Sequence, residues 1–388
     1  MMKLSVKKIL NSKNKEFILS YATQIYNSFG NKELKKIINL LIKVNVSNDL
    51  VAYVTNLQVF DKNDQNNLPI IDTLNKNIQE LYWKNNRINC IKNKETITYV
   101  IENLIKYENA KVFEYLAEDN NYISEDEHIE YLIKIQKNNN FNINNIHLIK
   151  YYLEKIFNKI YKKYYQNSND LEMYRKIASL ELYYREILPW DNLKCFVYLL
   201  KKEPYYYAEM INIIYKHEGE NEEKFEKNQA LINSLHTFYR KLNFCPCTHN
   251  TNNIKKEELE EWVNKFKSIL EKQKQRKLFG MVLGRIFAFS PQGNDGFYPH
   301  ESIRDIIENL NSEDFKLLKN SYIVTILNKR GTYSPDAGIT EAKLAREYKK
   351  NANGIRLFFP FSASIYDEIS DSYISQSQLE RTEAEYSL

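Results

Sequence analysis

Glycine and proline are scarce in this chain, with nine Gly and eight Pro among 388 residues. All-β sandwiches and barrels need a turn about every 8–12 residues, and Gly and Pro mark many of those turns. The stretches between them carry apolar residues at i, i+3, i+4 and i+7, which is the period of an amphipathic helix. The spacing is clear in FILSYATQIYNSF (17–29) and ELKKIINLLIKV (33–44). The sequence therefore predicts an all-α protein.

The predicted helices pair into hairpins of roughly 35–45 residues, each with an apolar face that it cannot bury alone. This favours an α-solenoid-like array of the HEAT or TPR kind, with a more irregular C-terminal helical block. We expect Gly30-Asn31 to separate two helices and the polar tail 369–388 to fray. The predicted segments are an N-terminal helical array (1–165), middle helical hairpins (166–290) and the C-terminal helical block (291–388).

The net charge is mildly positive and unevenly distributed. The formal net charge of the chain is +5. Residues 291–388 hold 15 acidic and 11 basic residues, so they carry about −4 and residues 1–290 carry about +9. A weakly basic region of this kind allows contact with an acidic partner without requiring it.

Cysteine usage and hydropathy indicate the compartment. Four cysteines are spread thinly along the chain, which is typical of a reducing environment rather than of a disulfide framework. The first 17 residues lack the apolar core of a signal peptide. The longest apolar run, LFGMVLGRIFAF (278–289), is short and contains Arg285, so it does not suit a membrane span. We expect a cytoplasmic protein without membrane contact.

The motif Cys245-Pro-Cys247-Thr-His249 contains residue types that bind zinc, and His236 could complete a ligand set. Structural zinc sites usually separate two cysteines by two to four residues, however, and no second cysteine pair follows here. We therefore interpret the motif as a loop with two incidental thiols, and we predict neither a metal nor a cofactor.

The predicted helix at 146–165 has a basic face. Lys155, Lys159 and Lys162 lie on it among several tyrosines. Lysines can neutralise phosphates and tyrosines can stack on bases, so this face could bind nucleic acid. The alternative is a solvated helix face in a chain rich in Lys and Tyr.

The block 300–348 carries charged residues at helical spacing. His300, Arg304 and Glu308 lie at i, i+4 and i+8, so we expect them on one face of a helix. Arg304 and Glu308 should then form an intrahelical ion pair. Arg330 precedes Gly331 at a predicted helix end, where Gly can adopt a positive φ.

The next predicted helix adds Glu341 and Tyr348. One interpretation of the whole block is a set of ion pairs that fixes the terminal helices and can also bind a ligand. Another is an enzyme site within 293–346. The chain lacks the P-loop, Rossmann, GxSxG, HExxH and kinase signatures, which disfavours the common NTPases, hydrolases and dehydrogenases.

Seven motifs follow one another over about 170–380. They are a Leu/Glu/aromatic helix, an acidic-Pro helix start, a Trp helix, a His-Glu helix start, an Asn-x-Arg-Gly turn, a Glu-x-x-x-Ala-x-x-Tyr helix and a Ser-Tyr tail. In this chain they are IASLELYYREIL (177–188), Glu203-Pro204-Tyr205-Tyr206, the helix around Trp262, His300-Glu301-Ser302-Ile303-Arg304-Asp305, Asn328-Lys329-Arg330-Gly331, Glu341 with Ala345 and Tyr348, and Ser370-Asp371-Ser372-Tyr373.

This order of motifs resembles the C-terminal helical region of large, mostly uncharacterised bacterial proteins. The resemblance implies a region that works beside other modules, and an association with phage defence. The chain departs from the pattern at Phe358-Phe359-Pro360-Phe361, where a continuous helix is expected and Pro360 should break or kink it.

These observations favour a non-enzymatic helical scaffold or recognition module that binds another protein. The first alternative is nucleic-acid binding through the basic region 1–290. The second alternative is an enzyme with a polar site in 293–346. The candidate binding residues are His300, Arg304, Glu308, Arg330, Glu341 and Tyr348 in the C-terminal block, and Lys155, Lys159 and Lys162 on the basic face.

Overall fold

The fold is helical throughout the part of the chain that the structure, a computed structural model, describes. That part contains seventeen α-helices and two short 3₁₀-helices, with 74% helix and no strand. The all-α prediction is confirmed. The structure describes residues 14–85, 87–107, 110–118, 122–138, 146–165, 170–189, 192–215, 229–248, 253–331 and 334–386.

The chain divides into two compact units, residues 1–196 and residues 197–388. The boundary lies inside the predicted segment of middle helical hairpins (166–290). Among the described residues, none of the helices combines the length and the apolar character needed to cross a membrane.

The first unit contains eight helices in the part described, and a ninth spans the boundary. They are α1 (Lys15–Lys43), α2 (Asn48–Thr55), α3 (Lys76–Asn85), α4 (Lys94–Lys106), α5 (Val112–Ala117), α6 (Glu125–Lys137), α7 (Ile146–Tyr164), α8 (Leu171–Tyr183) and α9 (Lys194–Lys202).

The second unit contributes the remaining eight helices of the described residues. They are α10 (Pro204–Ile214), α11 (Gln229–Lys241), α12 (Lys256–Lys272), α13 (Phe279–Phe287), α14 (Glu301–Glu308), α15 (Ser312–Lys329), α16 (Ile339–Ile355) and α17 (Pro360–Tyr386).

Several helix ends lie where the sequence signals place them. Ser124 precedes α6 and forms a capping box with Glu127, so each side chain satisfies a free backbone amide of the other. Pro204 occupies the first turn of α10, where its missing N–H costs nothing. Gly331 follows α15 with a φ of 68°, as predicted for a helix end.

The predicted break at Gly30-Asn31 is confirmed. Residues 15–43, labelled α1 as one run, consist of two helical segments that meet at a kink, where Gly30 has a non-helical φ of 71° and ψ of −159°. Glycine adopts this conformation without the steric cost of a Cβ. The helical period continues on both sides of the kink, which explains why the sequence suggested two helices.

The start of α9 is fixed by a residue from another helix. Glu181 on α8 is fully buried and accepts hydrogen bonds from the amides of Cys195 (2.9 Å) and Phe196 (2.7 Å). It also accepts a hydrogen bond from the Tyr161 hydroxyl on α7 (2.6 Å). Burial raises the pKa of Glu181 to about 7. One carboxylate therefore ties three helices together.

Helices α13 and α15 approach each other at two glycines. A Cβ at Gly280 would overlap the backbone carbonyl of Asp314, and a Cβ at Gly284 would overlap that of Leu318. The contact points advance together along both chains, so the two helices run in the same direction. The two glycines therefore allow the backbones of α13 and α15 to approach closely.

Helices α16 and α17 form an antiparallel pair. The polar tail is helical and packs along α16, so the prediction that it frays is wrong. The Ser370 hydroxyl donates to the Ala345 carbonyl (2.8 Å), and the Ser377 hydroxyl donates to the Gly338 carbonyl (2.7 Å). The polar tail therefore continues α17, because its serines and a buried Tyr373 pack along α16. Pro360 starts α17, so the expected break between the two helices is confirmed.

Candidate functional site

A cavity of about 620 Å³ opens within the second unit. The segment that follows α13 and the helices α15, α16 and α17 all contribute to its walls. Its volume lies in the range of small-molecule sites, which is about 300–1,000 Å³. Five of its fifteen lining residues are aromatic, namely Phe297, Tyr298, Tyr322, Tyr348 and Tyr366.

Two buried tyrosine hydroxyls meet beside the cavity. Tyr322 on α15 and Tyr366 on α17 are 1% and 3% exposed, and their hydroxyl oxygens are 2.6 Å apart. Their rings meet edge to face at 5.9 Å. Burial raises the pKa of both hydroxyls well above the usual value. Both therefore stay protonated at neutral pH and act as hydrogen-bond donors and acceptors rather than as bases.

Tyr348 forms a third aromatic wall of the cavity. Its ring packs against those of Tyr366 (centroids 6.0 Å apart, planes at 30°) and Tyr373 (5.6 Å, 9°). Burial raises the pKa of Tyr348 to about 12. The stack fixes one ring face against α17, because all three residues belong to the α16–α17 pair.

Two lysines and one carboxylate belong to the lining as well. Lys329 donates from Nζ to the carbonyl of Ala288 (2.9 Å) and lies over the ring of Phe289 (4.5 Å). Partial burial lowers the pKa of Lys329. Lys350 and Glu347 project from α16 and are exposed. The cavity thus combines aromatic surfaces with ammonium groups.

The wall formed by residues 296–298 is held in place by two contacts with α16. Asn351 on α16 accepts a hydrogen bond from the amide of Tyr298 (2.8 Å) and donates to its carbonyl (2.6 Å). The ring of Phe297 packs over Gly354, where a Cβ would overlap it. This segment is therefore part of the folded unit and not a loose loop.

Arg304 anchors the same segment, and its predicted ion pair with Glu308 is wrong. Its side chain is 1% exposed and donates to both carboxylate oxygens of Asp295 (2.8 and 2.7 Å) and to the carbonyl of Pro299 (2.8 Å). Its guanidinium also lies 4.7 Å from the ring of Phe359. Arg304 faces the preceding loop because that loop folds back over α14.

His300 does not lie on a helix face with Arg304 and Glu308, because it is the N-cap of α14. Its Nδ1 accepts from the Ser302 amide (3.2 Å), and its Nε2 is 3.2 Å from Oδ1 of Asn253. Burial lowers the pKa of His300, so the ring is neutral and its proton is assigned to Nε2. The role of His300 in the fold is structural.

Glu308 caps the start of α17. It accepts hydrogen bonds from the amides of Phe361 (3.1 Å) and Ser362 (2.8 Å), and from the Ser362 hydroxyl (3.0 Å). A carboxylate at this position satisfies amides that a helix leaves free and suits the positive end of the helix dipole.

The other predicted residues of the block take separate partners. Arg330 forms an ion pair with the buried Glu341. Tyr348 alone of the six predicted residues in this block is among those lining the cavity. The six predicted residues therefore belong to two helix caps, two ion pairs and one aromatic wall.

The basic face of α7 has partners within the first unit. Lys159 donates to the carbonyl of Glu118 (2.6 Å), and Lys155 lies over the ring of Tyr151 (5.1 Å). Lys162 is exposed. This face thus makes contacts within the protein, and nucleic-acid binding by it stays an untested prediction.

The cysteine motif lies partly outside the described residues, since His249 is not among them. Cys245 is buried, and the Cys247 thiol is 3.5 Å from the carbonyl of Glu258. Burial raises the pKa of the Cys247 thiol to about 11, which disfavours the thiolate that zinc binds. His236 is exposed on α11.

The sequence analysis missed Tyr298, Tyr322, Tyr366 and Lys329. Thirty tyrosines in the chain make any single one uninformative, and no spacing rule links these four positions. They meet only because three helices and one loop converge. No protein-family model, curated protein or solved structure matches this chain. The interpretation of the cavity therefore rests on its own geometry.

Proposed function

We propose that this chain is a non-enzymatic recognition protein, and that the cavity of its second unit binds a planar ligand with an acidic group. The observation that carries the proposal is the wall of three tyrosines with Lys329 and Lys350 in the same lining. Flat aromatic ligands stack on tyrosine rings, and an ammonium group attracts an anion. The tyrosine hydroxyls add hydrogen bonds that orient the ligand.

The titration behaviour of the three tyrosines in the lining favours binding over catalysis. A general base or nucleophile works best with a pKa near the operating pH. The pKa values of Tyr322, Tyr348 and Tyr366 are all displaced upward, away from neutrality. These groups are suited to hold a ligand without exchanging protons with it.

The cavity is tested with 8-anilinonaphthalene-1-sulfonate (ANS), a planar aromatic sulfonate whose fluorescence rises on binding. We expect saturable binding to the native chain and about tenfold weaker binding to Tyr348→Ala, since a stacking wall is removed. The matched control is Tyr205→Ala, because Tyr205 is 53% exposed and does not line the cavity. Equal affinities in wild type and Tyr348→Ala, with unchanged circular dichroism, would contradict the proposal.

A second observation favours a protein partner. Leu357 and Phe358, in the turn between α16 and α17, are 82% and 77% exposed. Phe361 beside them is 44% exposed. Apolar side chains this exposed on an ordered turn are typical anchors for a groove on another protein. We propose that this tip, residues 357–361, docks into an apolar groove of a partner.

The tip is tested by comparing proteins captured from an extract of the native host. The bait variant carries Leu357→Ser and Phe358→Ser, and the control is Leu379→Ser, which changes another exposed leucine (61%) of α17. We expect a partner that wild type and the control retain and the tip variant loses. Identical sets of captured proteins from all three baits would rule out the tip as the docking site.

The remaining parts of the proposal concern the arrangement of the helices, the cellular location and the biological role. In the first unit the main contacts join helices one or two places apart along the chain, which supports a solenoid-like array. All four cysteines are free thiols, which supports a cytoplasmic location. A role in bacterial defence is proposed only from the resemblance of the motifs.

A further inference from the structure

Three carboxylates converge where the loop after α15 meets α16 and α17. Asp336, Glu341 and Glu380 each place an oxygen atom within 4.8 Å of the other two. Asp336 is exposed, whereas Glu341 is 0% and Glu380 is 9% exposed. This cluster is separate from the cavity, because none of the three residues lines it.

Two of the carboxylates are held by local hydrogen bonds. Asp336 accepts from the amide (3.1 Å) and the hydroxyl of Thr340. Glu380 accepts from the amide of Gly338 (3.2 Å). Gly338 has a φ of 79°, and a Cβ there would overlap the backbone of Ser377, so only glycine lets the loop lie this close to α17.

Glu341 gives an independent indication of a ligand. Its side chain is fully buried, and its Oε1 is paired with the guanidinium of Arg330. Its Oε2 accepts no hydrogen bond from a described residue. A buried carboxylate normally satisfies its oxygens with several donors or with a metal ion.

The charges of the cluster do not balance. The formal charges of the three carboxylates sum to −3, and the guanidinium of Arg330 compensates one of them. The two remaining charges equal those of one divalent cation. The donor set consists of oxygen atoms only, which suits hard cations and disfavours zinc and copper.

We propose that Asp336, Glu341 and Glu380 bind a divalent cation, and that the site prefers Ca²⁺ to Mg²⁺. Ca²⁺ accepts six to eight oxygen ligands in a flexible geometry. Mg²⁺ demands a near-ideal octahedron and usually keeps several of its waters. Three carboxylates contributed by three different segments therefore suit Ca²⁺ better.

The bound cation joins three segments of the chain. Asp336 belongs to the loop, Glu341 to the first turn of α16 and Glu380 to the last turns of α17. A cation that links them closes the open end of the α16–α17 pair. Binding should therefore stabilise the fold as well as occupy the site.

The test uses the full chain, freed of metal with EDTA and then dialysed. We expect CaCl₂ at millimolar concentration to raise the melting temperature by about 4 °C, and MgCl₂ to raise it by less than half as much. Asp336→Asn should abolish the Ca²⁺ shift, and this exposed position should tolerate the change. Glu385→Gln, an exposed carboxylate farther along α17, is the matched control and should keep the full shift.

Luminescence of Tb³⁺, which substitutes for Ca²⁺, gives a direct readout. Tyr373 is buried and lies on α17 about two helical turns before Glu380, which places this ring near the cluster. Excitation of tyrosine should therefore sensitise Tb³⁺ in wild type and in Glu385→Gln, but not in Glu341→Gln. No Ca²⁺ shift in wild type, or an equal shift in Asp336→Asn, would overturn the proposal.

Discussion

At the scale of single residues, Arg304 is a charged side chain that stabilises one wall of the cavity without lining it. It is among the largest fully buried side chains of the described chain. Its partners are one carboxylate, one carbonyl and one aromatic ring, all contributed by segments outside α14. Its contribution to recognition is indirect, because it holds the loop that carries Phe297 and Tyr298.

Replacing Arg304 should therefore lower stability and weaken ligand binding together. Arg304→Met keeps much of the volume but leaves the Pro299 carbonyl and Asp295 without their donor. We expect a loss of roughly 2–4 kcal/mol in the free energy of unfolding, measured by urea denaturation. We also expect weaker ANS binding at temperatures where the variant is folded.

A double-mutant cycle with Asp295→Ala isolates the ion pair. If the pair acts as described, the two substitutions should be coupled by about 1 kcal/mol or more. Additive losses would show that Arg304 acts through its other contacts. The control is Arg356→Met, because Arg356 is an exposed arginine that pairs with Asp367 on the surface.

At the scale of helices, two kinds of close contact position the site. Gly284 on α13 faces the backbone of α15, whereas Gly354 on α16 faces the ring of Phe297. A backbone carbonyl cannot rotate away from a new methyl group, but an aromatic side chain can shift. The same substitution should therefore have different consequences at the two positions.

Gly284→Ala should lower the free energy of unfolding by about 1–3 kcal/mol, because overpacking outweighs the gain in helix propensity. Gly354→Ala should cost less stability, since the Phe297 ring can move, but it should weaken ANS binding. Thermal denaturation and ANS titration of both variants distinguish the two effects. Equal stability losses without any change in ANS affinity would contradict this assignment of contacts.

At the scale of the whole molecule, the sequence predicts the helices better than the site. Local signals such as the Ser124 capping box and Pro204 act within one turn, so they are readable without tertiary structure. Glu308 was expected to pair within its own helix, but it caps a helix that starts more than fifty residues later. Such a partner depends on how the helices pack, and a single sequence does not contain that information.

The same limit explains the error in the tail. Gly30, by contrast, carries a local break signal, and the helical backbone of α1 is interrupted there as predicted. The tail is polar in composition, but its serines donate hydrogen bonds to backbone carbonyls, as Ser370 does to Ala345. Composition records that these side chains are polar, but it does not record that their hydrogen bonds are satisfied within the fold.

The α16–α17 pair gives the second unit one further property. Tyr348, a wall of the cavity, stacks on Tyr373, and Tyr373 lies near the acidic cluster. Binding of two ligands to the same pair of helices is subject to thermodynamic linkage. If Ca²⁺ changes the affinity for ANS by some factor, ANS must change the affinity for Ca²⁺ by the same factor. The α16–α17 pair would then couple two binding sites, so that the bound metal ion changes the affinity for the aromatic ligand.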